Sequence, residues 1–284
     1  MAWPPMEASF RAMPHGGSRL WLWHTPPEGV ARRGAMLYAH PFAEEMNKSR
    51  RMAALAAREL AADGWCVLQP DLAGCGESSG SLEDARVDTW LHDLEQAALA
   101  LRAQQPGGPL WLWGLRAGAL WSCALASRLA HEAHLLLWQP AIQGKALLQQ
   151  FLRLKAASQL AEGHAKPVMD ALRADLAAGR PVDIAGYRLG AALAAGLEAA
   201  TLGPPRLEPG QTRRMVWIEV AAAGAELSAS PATRAAWPKW QQAGWQVDGL
   251  AVAGPAFWQT TEIEDAPALV QATVSALRGA PVTA

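Results

Sequence analysis

The sequence predicts an α/β fold with a mostly parallel, doubly wound sheet, and three observations carry that expectation. Short apolar runs of strand length alternate with Ala- and Leu-rich stretches of helical periodicity along the 284 residues. The runs are apolar at successive positions, as strands covered on both faces are. Strand-like runs end at turn residues, among them His40-Pro41 and Pro70-Asp71. Hydrophobic residues make up 51% of the chain, enough for one large core.

The elements follow in order. SRLWLWH (18–24) and GAMLYA (34–39) read as strands, the first with Trp21 and Trp23 on one face. Helical periodicity runs over 49–63, and WCVLQ (65–69) is a buried strand. A striped helix at 89–104, a strand at 110–113, a helix at 117–130 and the strand HLLLW (134–138) come next. Strands at 215–220 and 246–253 and a closing helix at 267–278 complete the pattern. No strand is expected between 138 and 215. That stretch is rich in Ala, Leu, Gln and Arg, and reads as a helical insertion at about 144–210, a cap over the strand ends within one domain spanning 1–284. GPPRLEPGQ (203–211) returns the chain to the sheet, and residues 279–284 are expected to fray.

Composition excludes several function classes. A net charge of −1, spread along the chain, gives no basis for nucleic acid or an anionic membrane as partner. No apolar run has the length of a membrane span, and the N-terminus lacks the apolar core of a signal peptide. Cys66, Cys75 and Cys123 form no CxxC pair, so no metal site or disulfide framework is expected, and free thiols fit a reducing cytosol. A cytoplasmic protein without cofactor is the expectation. Fourteen tryptophans suit core packing, with some lining an apolar pocket as the sharper alternative.

Three motifs stand at strand ends. WLWGLRAG (111–118) runs from a strand through Gly-x-x-x-Gly into a helix, and resembles the nucleophile elbow of the α/β-hydrolase fold. YAHPF (38–42) resembles the segment that supplies part of the oxyanion hole, which would be formed around Pro41, Phe42 and Ala117. DLAGCGES (71–78) matches a loop common in that superfamily. HPFAEEMNKSRRM (40–52), LLLWQPAIQGKALLQQFLR (135–153) and GPAFWQTTEI (254–263), together with the elbow, resemble the exosortase-A-system-associated hydrolase 2 family. That resemblance implies bacteria that make exopolysaccharide and sort PEP-CTERM proteins, and a second, distantly related α/β-hydrolase as neighbour.

Acyl hydrolysis on this fold needs a nucleophile, an acid and a histidine, in that chain order. Arg116 stands at the nucleophile position, and guanidinium has no free lone pair for attack. The histidine is due near 254–262, yet all seven histidines lie before residue 165. Glu226 is the only carboxylate where the acid is due. Replacement catalytic groups are sought among His40, Asp71, Cys75 and Glu226, with a Cys75–His40 pair as one option and a partnerless loop cysteine as the other. His40 reads equally as an oxyanion-region contact or a packed residue.

The pocket is expected to include His40, Glu44, Arg116, Trp258 and Glu262. Arg116 is a fixed planar cation beside helix N-terminal amides, suited to an anionic ligand group. The competing reading is an ion pair with one of Glu44, Glu45, Asp71, Glu226 or Glu262. Two functions stay open: a degenerate member binding a small anionic or acyl ligand or a partner protein, and a non-standard hydrolase or acyltransferase acting on an ester or thioester. A surface-driven assembly role is a third option.

Overall fold

The computed structural model describes residues 5–129, 133–158, 165–208, 210–222 and 224–279. In chain order the elements are β1 (Met6–Ala12), β2 (Ser18–His24), β3 (Gly34–Ala39), α1 (Glu44–Ala62), β4 (Trp65–Pro70), α2 (Val87–Gln104), β5 (Leu110–Leu115), α3 (Ala117–Ala126) and β6 (Ala133–Trp138). Then follow α4 (Gly144–Ser158), α5 (Ala165–Ala177), β7 (Val182–Ile184), β8 (Tyr187–Leu189), α6 (Ala191–Ala199), β9 (Arg213–Ala221), α7 (Pro231–Gln242), β10 (Trp245–Ala253) and α8 (Pro267–Arg278).

Eight strands form one sheet in the order β1-β2-β4-β3-β5-β6-β9-β10. From β4 to β10 every pairing is parallel, and β1 and β2 join antiparallel at one edge. Each central strand is apolar on both faces because each face meets a helical layer. On β5, Leu110 and Leu112 pack on the α2 and α3 side, whereas Trp111, Trp113 and Leu115 pack on the α1 and α8 side. Trp113 meets Tyr38 at 4.4 Å and Trp138 at 4.7 Å between ring centroids, both off-parallel, the geometry aromatic pairs favour. The tryptophans are therefore mostly core.

Three elements depart from expectation. β1 was not anticipated: it is an edge strand exposed at nearly every position, so it carries no apolar alternation. The strand-free reading of 138–215 is corrected by the β7–β8 hairpin, whose three-residue strands are too short to show a period. Its turn, Ala185-Gly186, has φ of 48° and 84°, the mirror-image turn that suits hairpin twist. The helix α7 also went unread, since Pro238 lies inside it; Ser230 caps it, accepting from the Thr233 amide. The start of α1 lies at Glu44 rather than residue 49. Residues 280–284, and Ala130 in the helix expected over 117–130, lie outside the described residues.

The segment between β6 and β9 folds against the C-terminal ends of the strands. Phe151 of α4 stacks on Phe42 at 5.0 Å and on Tyr187 at 6.3 Å, and the Tyr187 hydroxyl accepts from Asn47 at 2.8 Å. Gly144 lets α4 approach α6: a Cβ there would run into the Leu197 carbonyl. No helix among the described residues is long and apolar enough to cross a membrane.

Candidate functional site

The site is built where β5 turns into α3. Arg116 bridges them with φ 54° and ψ −114°, a conformation a non-glycine residue adopts only under constraint, at a cost of about 1–3 kcal/mol. The constraint is the close passage of α3 over the sheet. A Cβ on Gly114 would lie 2.5 Å from the Ala119 backbone, and one on Gly118 would run into the Ala39 carbonyl. Packing thus forces the sharp turn whatever the central residue is, and the turn lifts that residue's side chain off the sheet.

The Arg116 side chain ends in a carboxylate cradle. Its Nε donates to Glu45 Oε1 at 3.1 Å and Oε2 at 3.3 Å, and its Nη2 lies 3.1 Å from Oε1. Nη2 also donates to Gln150 Oε1 on α4 at 3.3 Å. The guanidinium carbon lies 5.7 Å from the Trp258 ring centroid, within cation–π range. A side-chain hydrogen bond with Gln259 also favours the Glu45 carboxylate. The side chains of Arg116 and Glu45 are only 13% and 9% exposed. Burial raises the Glu45 pKa, and the Arg116 charge opposes that rise. A small cleft of about 30 Å³ lies beside the pair, between Phe42, Glu44, Glu45, Gln150 and Phe151.

Of the expected pocket residues, Arg116 and Trp258 come together. Glu44 borders the cleft but turns toward Lys48, at 3.9 Å, because Glu45 occupies the inward position one residue on. Glu262 is corrected: it is exposed, since the chain buries Phe257 and Trp258 and then turns outward. His40 is buried away from Arg116. Its Nδ1 donates to the Pro41 carbonyl at 2.7 Å and its Nε2 accepts from the Leu72 amide at 3.3 Å, so neither nitrogen is left for proton transfer. Desolvation, the largest influence, lowers its pKa, so the ring is neutral at pH 7.

The other candidate catalytic groups are likewise built into the scaffold. Asp71 Oδ2 accepts from Arg50 at 3.0 Å and from the Glu77 amide at 3.0 Å. Glu226 is exposed on the loop after β9, and the carboxylate engaged there is Glu219, which accepts from Ser230 and Thr233 at the start of α7. Cys75 is buried, and burial pushes its thiol up to about 12. The Cys75–His40 pair is thereby corrected, for it has neither thiolate nor free base. Iodoacetamide at about pH 8 is expected to leave Cys75 unmodified in folded protein, read by peptide mass. Fast labelling at that position would contradict the buried thiol.

In the oxyanion region, Pro41 is corrected because proline has no N–H to donate. Phe42 and Ala117 are buried beside the elbow, and the Arg116 amide itself donates to the Trp138 carbonyl at 3.1 Å. Sequence reasoning counted Glu45 among five possible carboxylates but left Gln150 and Gln259 out. A glutamine on a helix or loop carries no spacing signal that would have found it. His131 and His164 lie outside the described residues. Among the described residues no group of three or more His, Cys, Asp or Glu side chains is placed to hold a metal ion.

Residues 31–184 match the family model described as serine aminopeptidase, S33. In structure the chain is similar to a hypothetical protein from Pseudomonas aeruginosa, at 14% identity and TM-score 0.64, over 99% of this chain and 95% of that one. It is also similar to an α/β serine hydrolase without lid from Xanthomonas campestris, at 18% identity and TM-score 0.55, over 100% of both chains. Est1E from Butyrivibrio proteoclasticus, solved with ferulic acid, matches at 12% identity and TM-score 0.61, over 95% of this chain and 96% of that one. These likenesses show the α/β-hydrolase fold. No curated protein matches the sequence.

Proposed function

The chain belongs to the serine aminopeptidase S33 family, and we propose that it is a catalytically degenerate member that works by binding. The observation that carries this reading is the Arg116–Glu45 pair in the place of the nucleophile. A guanidinium cannot attack an acyl carbon. Trp258 and Gln259 occupy the stretch where the histidine is due, and both support the arginine–glutamate pair instead.

The resemblance to the exosortase-A-associated family supports a role in exopolysaccharide and PEP-CTERM sorting, in the cytoplasm. The partner is the second α/β-hydrolase of that system, or a small anionic or acyl ligand that takes Glu45's place on Arg116. The alternative, ester or thioester turnover through His40, Asp71 or Cys75, finds no nucleophile beside a free base in this geometry. Purified protein is expected to turn over short and long acyl esters, thioesters and aminoacyl anilides no faster than its Arg116→Ala and His40→Ala variants. Turnover lost in either variant would overturn the proposal.

A further inference from the structure

β1 ends the sheet, and its outer edge carries a row of free main-chain groups. The strand is exposed at every position but Ser9, with Phe10 at 62% and Met6 at 48%. It holds neither a proline nor a glycine, so nothing in its sequence interrupts pairing. Which groups point outward follows from the register on β2. The Thr25 amide donates to the Pro5 carbonyl at 3.4 Å, and the Met13 amide donates to the Gly17 carbonyl at 3.0 Å. Both pairs continue the β1–β2 register. Hydrogen-bonded pairs alternate along an antiparallel ladder, so Glu7, Ser9 and Arg11 turn their main-chain groups toward β2. Met6, Ala8, Phe10 and Ala12 turn theirs outward, where among the described residues no strand takes them.

The side chains of β1 match an inverted copy of themselves. Glu7 and Arg11 stand symmetrically about Ser9, one acidic and one basic. They share the face on which the Arg11 guanidinium carbon lies 5.8 Å from the Trp21 ring centroid, and Met6 and Phe10 take the other face. An antiparallel copy of β1 centred on Ser9 sets each Glu7 opposite Arg11 of the other copy. Those are non-hydrogen-bonded positions, where opposed side chains come closest. The same placement pairs the main chain of Ala8 with that of Phe10, and Met6 with Ala12, so every outward group is used. It also brings the two copies of Phe10 to diagonal positions about 7–8 Å apart, within reach of aromatic side chains. A register shifted by two residues sets Glu7 or Arg11 against Ser9, and one shifted by four sets Glu7 against Glu7 or Arg11 against Arg11. At the other edge of the sheet, the one charged residue of β10 is Asp248, already bonded to Arg214 at 2.8 Å, so that strand offers no such match.

We propose that β1 binds a second copy of this chain, strand to antiparallel strand about a two-fold axis at Ser9, so that the two sheets become one. The contact is isologous: the same patch serves both copies, and the assembly closes as a dimer. A single strand of seven residues makes a small interface, so the dimer is reversible, with a Kd on the order of micromolar. The contact lies on the edge strand and uses neither Arg116 nor Glu45, so it holds whatever becomes of the functional proposal.

Sedimentation velocity of the full chain from about 1 to about 100 μM tests the inference, and a concentration-dependent dimer is expected. Ala8→Pro removes an outward N–H and no bond to β2, so it should give a monomer with the Tm of the wild type. Glu7→Arg sets arginine against arginine twice and should weaken the dimer by at least about tenfold. Glu7→Arg/Arg11→Glu restores both opposite-charge pairs and should return the Kd to within about threefold of the wild type. If Ala8→Pro fails to fold, the charge exchange decides. A monomer at every concentration would leave the edge to a strand of some other protein and would overturn the inference. So would a dimer undiminished by Ala8→Pro, or a double exchange that dimerises no better than Glu7→Arg alone.

Discussion

Arg116→Ala at pH 7 is expected to destabilise the protein by about 3–5 kcal/mol, as breaking one side of a buried ion pair does. The loss comes from Glu45, which is buried and would keep only Gln259 as a donor. Glu45→Ala should cost a similar amount by stranding the guanidinium. The double variant Arg116→Ala/Glu45→Ala should cost much less than the two single losses together, because both desolvated charges go at once. Urea unfolding of the four proteins, with unchanged m-values, measures the coupling. Additive losses would mean that the pair contributes nothing as a pair.

The same variant has a pH signature. In Arg116→Ala protein the charge opposing desolvation is gone, so the Glu45 pKa rises beyond its already raised position. A carboxyl whose folded pKa is raised favours folding fully below its unfolded pKa, and that contribution is lost as pH rises through the folded pKa. The deficit of Arg116→Ala should therefore be largest at neutral pH and shrink on acidification, as Glu45 takes up a proton. A pH-independent deficit would locate the damage elsewhere, in the strained backbone of the elbow.

Asp93→Ala is expected to cost a comparable 3–5 kcal/mol or so, for a different reason. Asp93 lies on α2 with no exposure, and its Oδ2 accepts from Arg19 Nε and from the Ala73 amide, both at 2.8 Å. Arg19, with a side chain 4% exposed, would be left buried beside a methyl group. The Trp90 indole holds the Ala73 carbonyl at 2.9 Å, so α2 grips the 71–78 loop by both polar groups of one residue. The variant should lower the urea midpoint at constant m and loosen that loop, seen as faster amide exchange at Ala73. A midpoint within experimental error of wild type would refute the assignment.

Much of the fold was legible in the sequence because parallel strands must be apolar on both faces, and β2, β3, β4, β5, β6, β9 and β10 have that character or the strand spacing around it. The elements that escaped are β1, which has no buried position, the β7–β8 hairpin, whose three-residue strands are too short to show a period, and α7, which holds Pro238 inside it. The elbow was legible too, since Gly114-x-Arg116-x-Gly118 reports both the sharp turn and the arginine at its centre without any coordinates. What the sequence could not determine was which side chains meet. Glu45 and Glu44 are neighbours on one helix, and the angle at which α1 lies on the sheet decides which of them faces Arg116. Gln150 reaches the same guanidinium from 34 residues farther along, and Gln259, on the loop after β10, adds a hydrogen bond to Glu45. A cavity of about 200 Å³ under α1 is likewise invisible in one dimension, because it exists only where Ala53 and Ala54 lie over Gln69 and Tyr38 from different strands. Local patterning is set by burial, which each residue type reports for itself, whereas a site is set by the docking of elements distant in sequence, which no single residue reports.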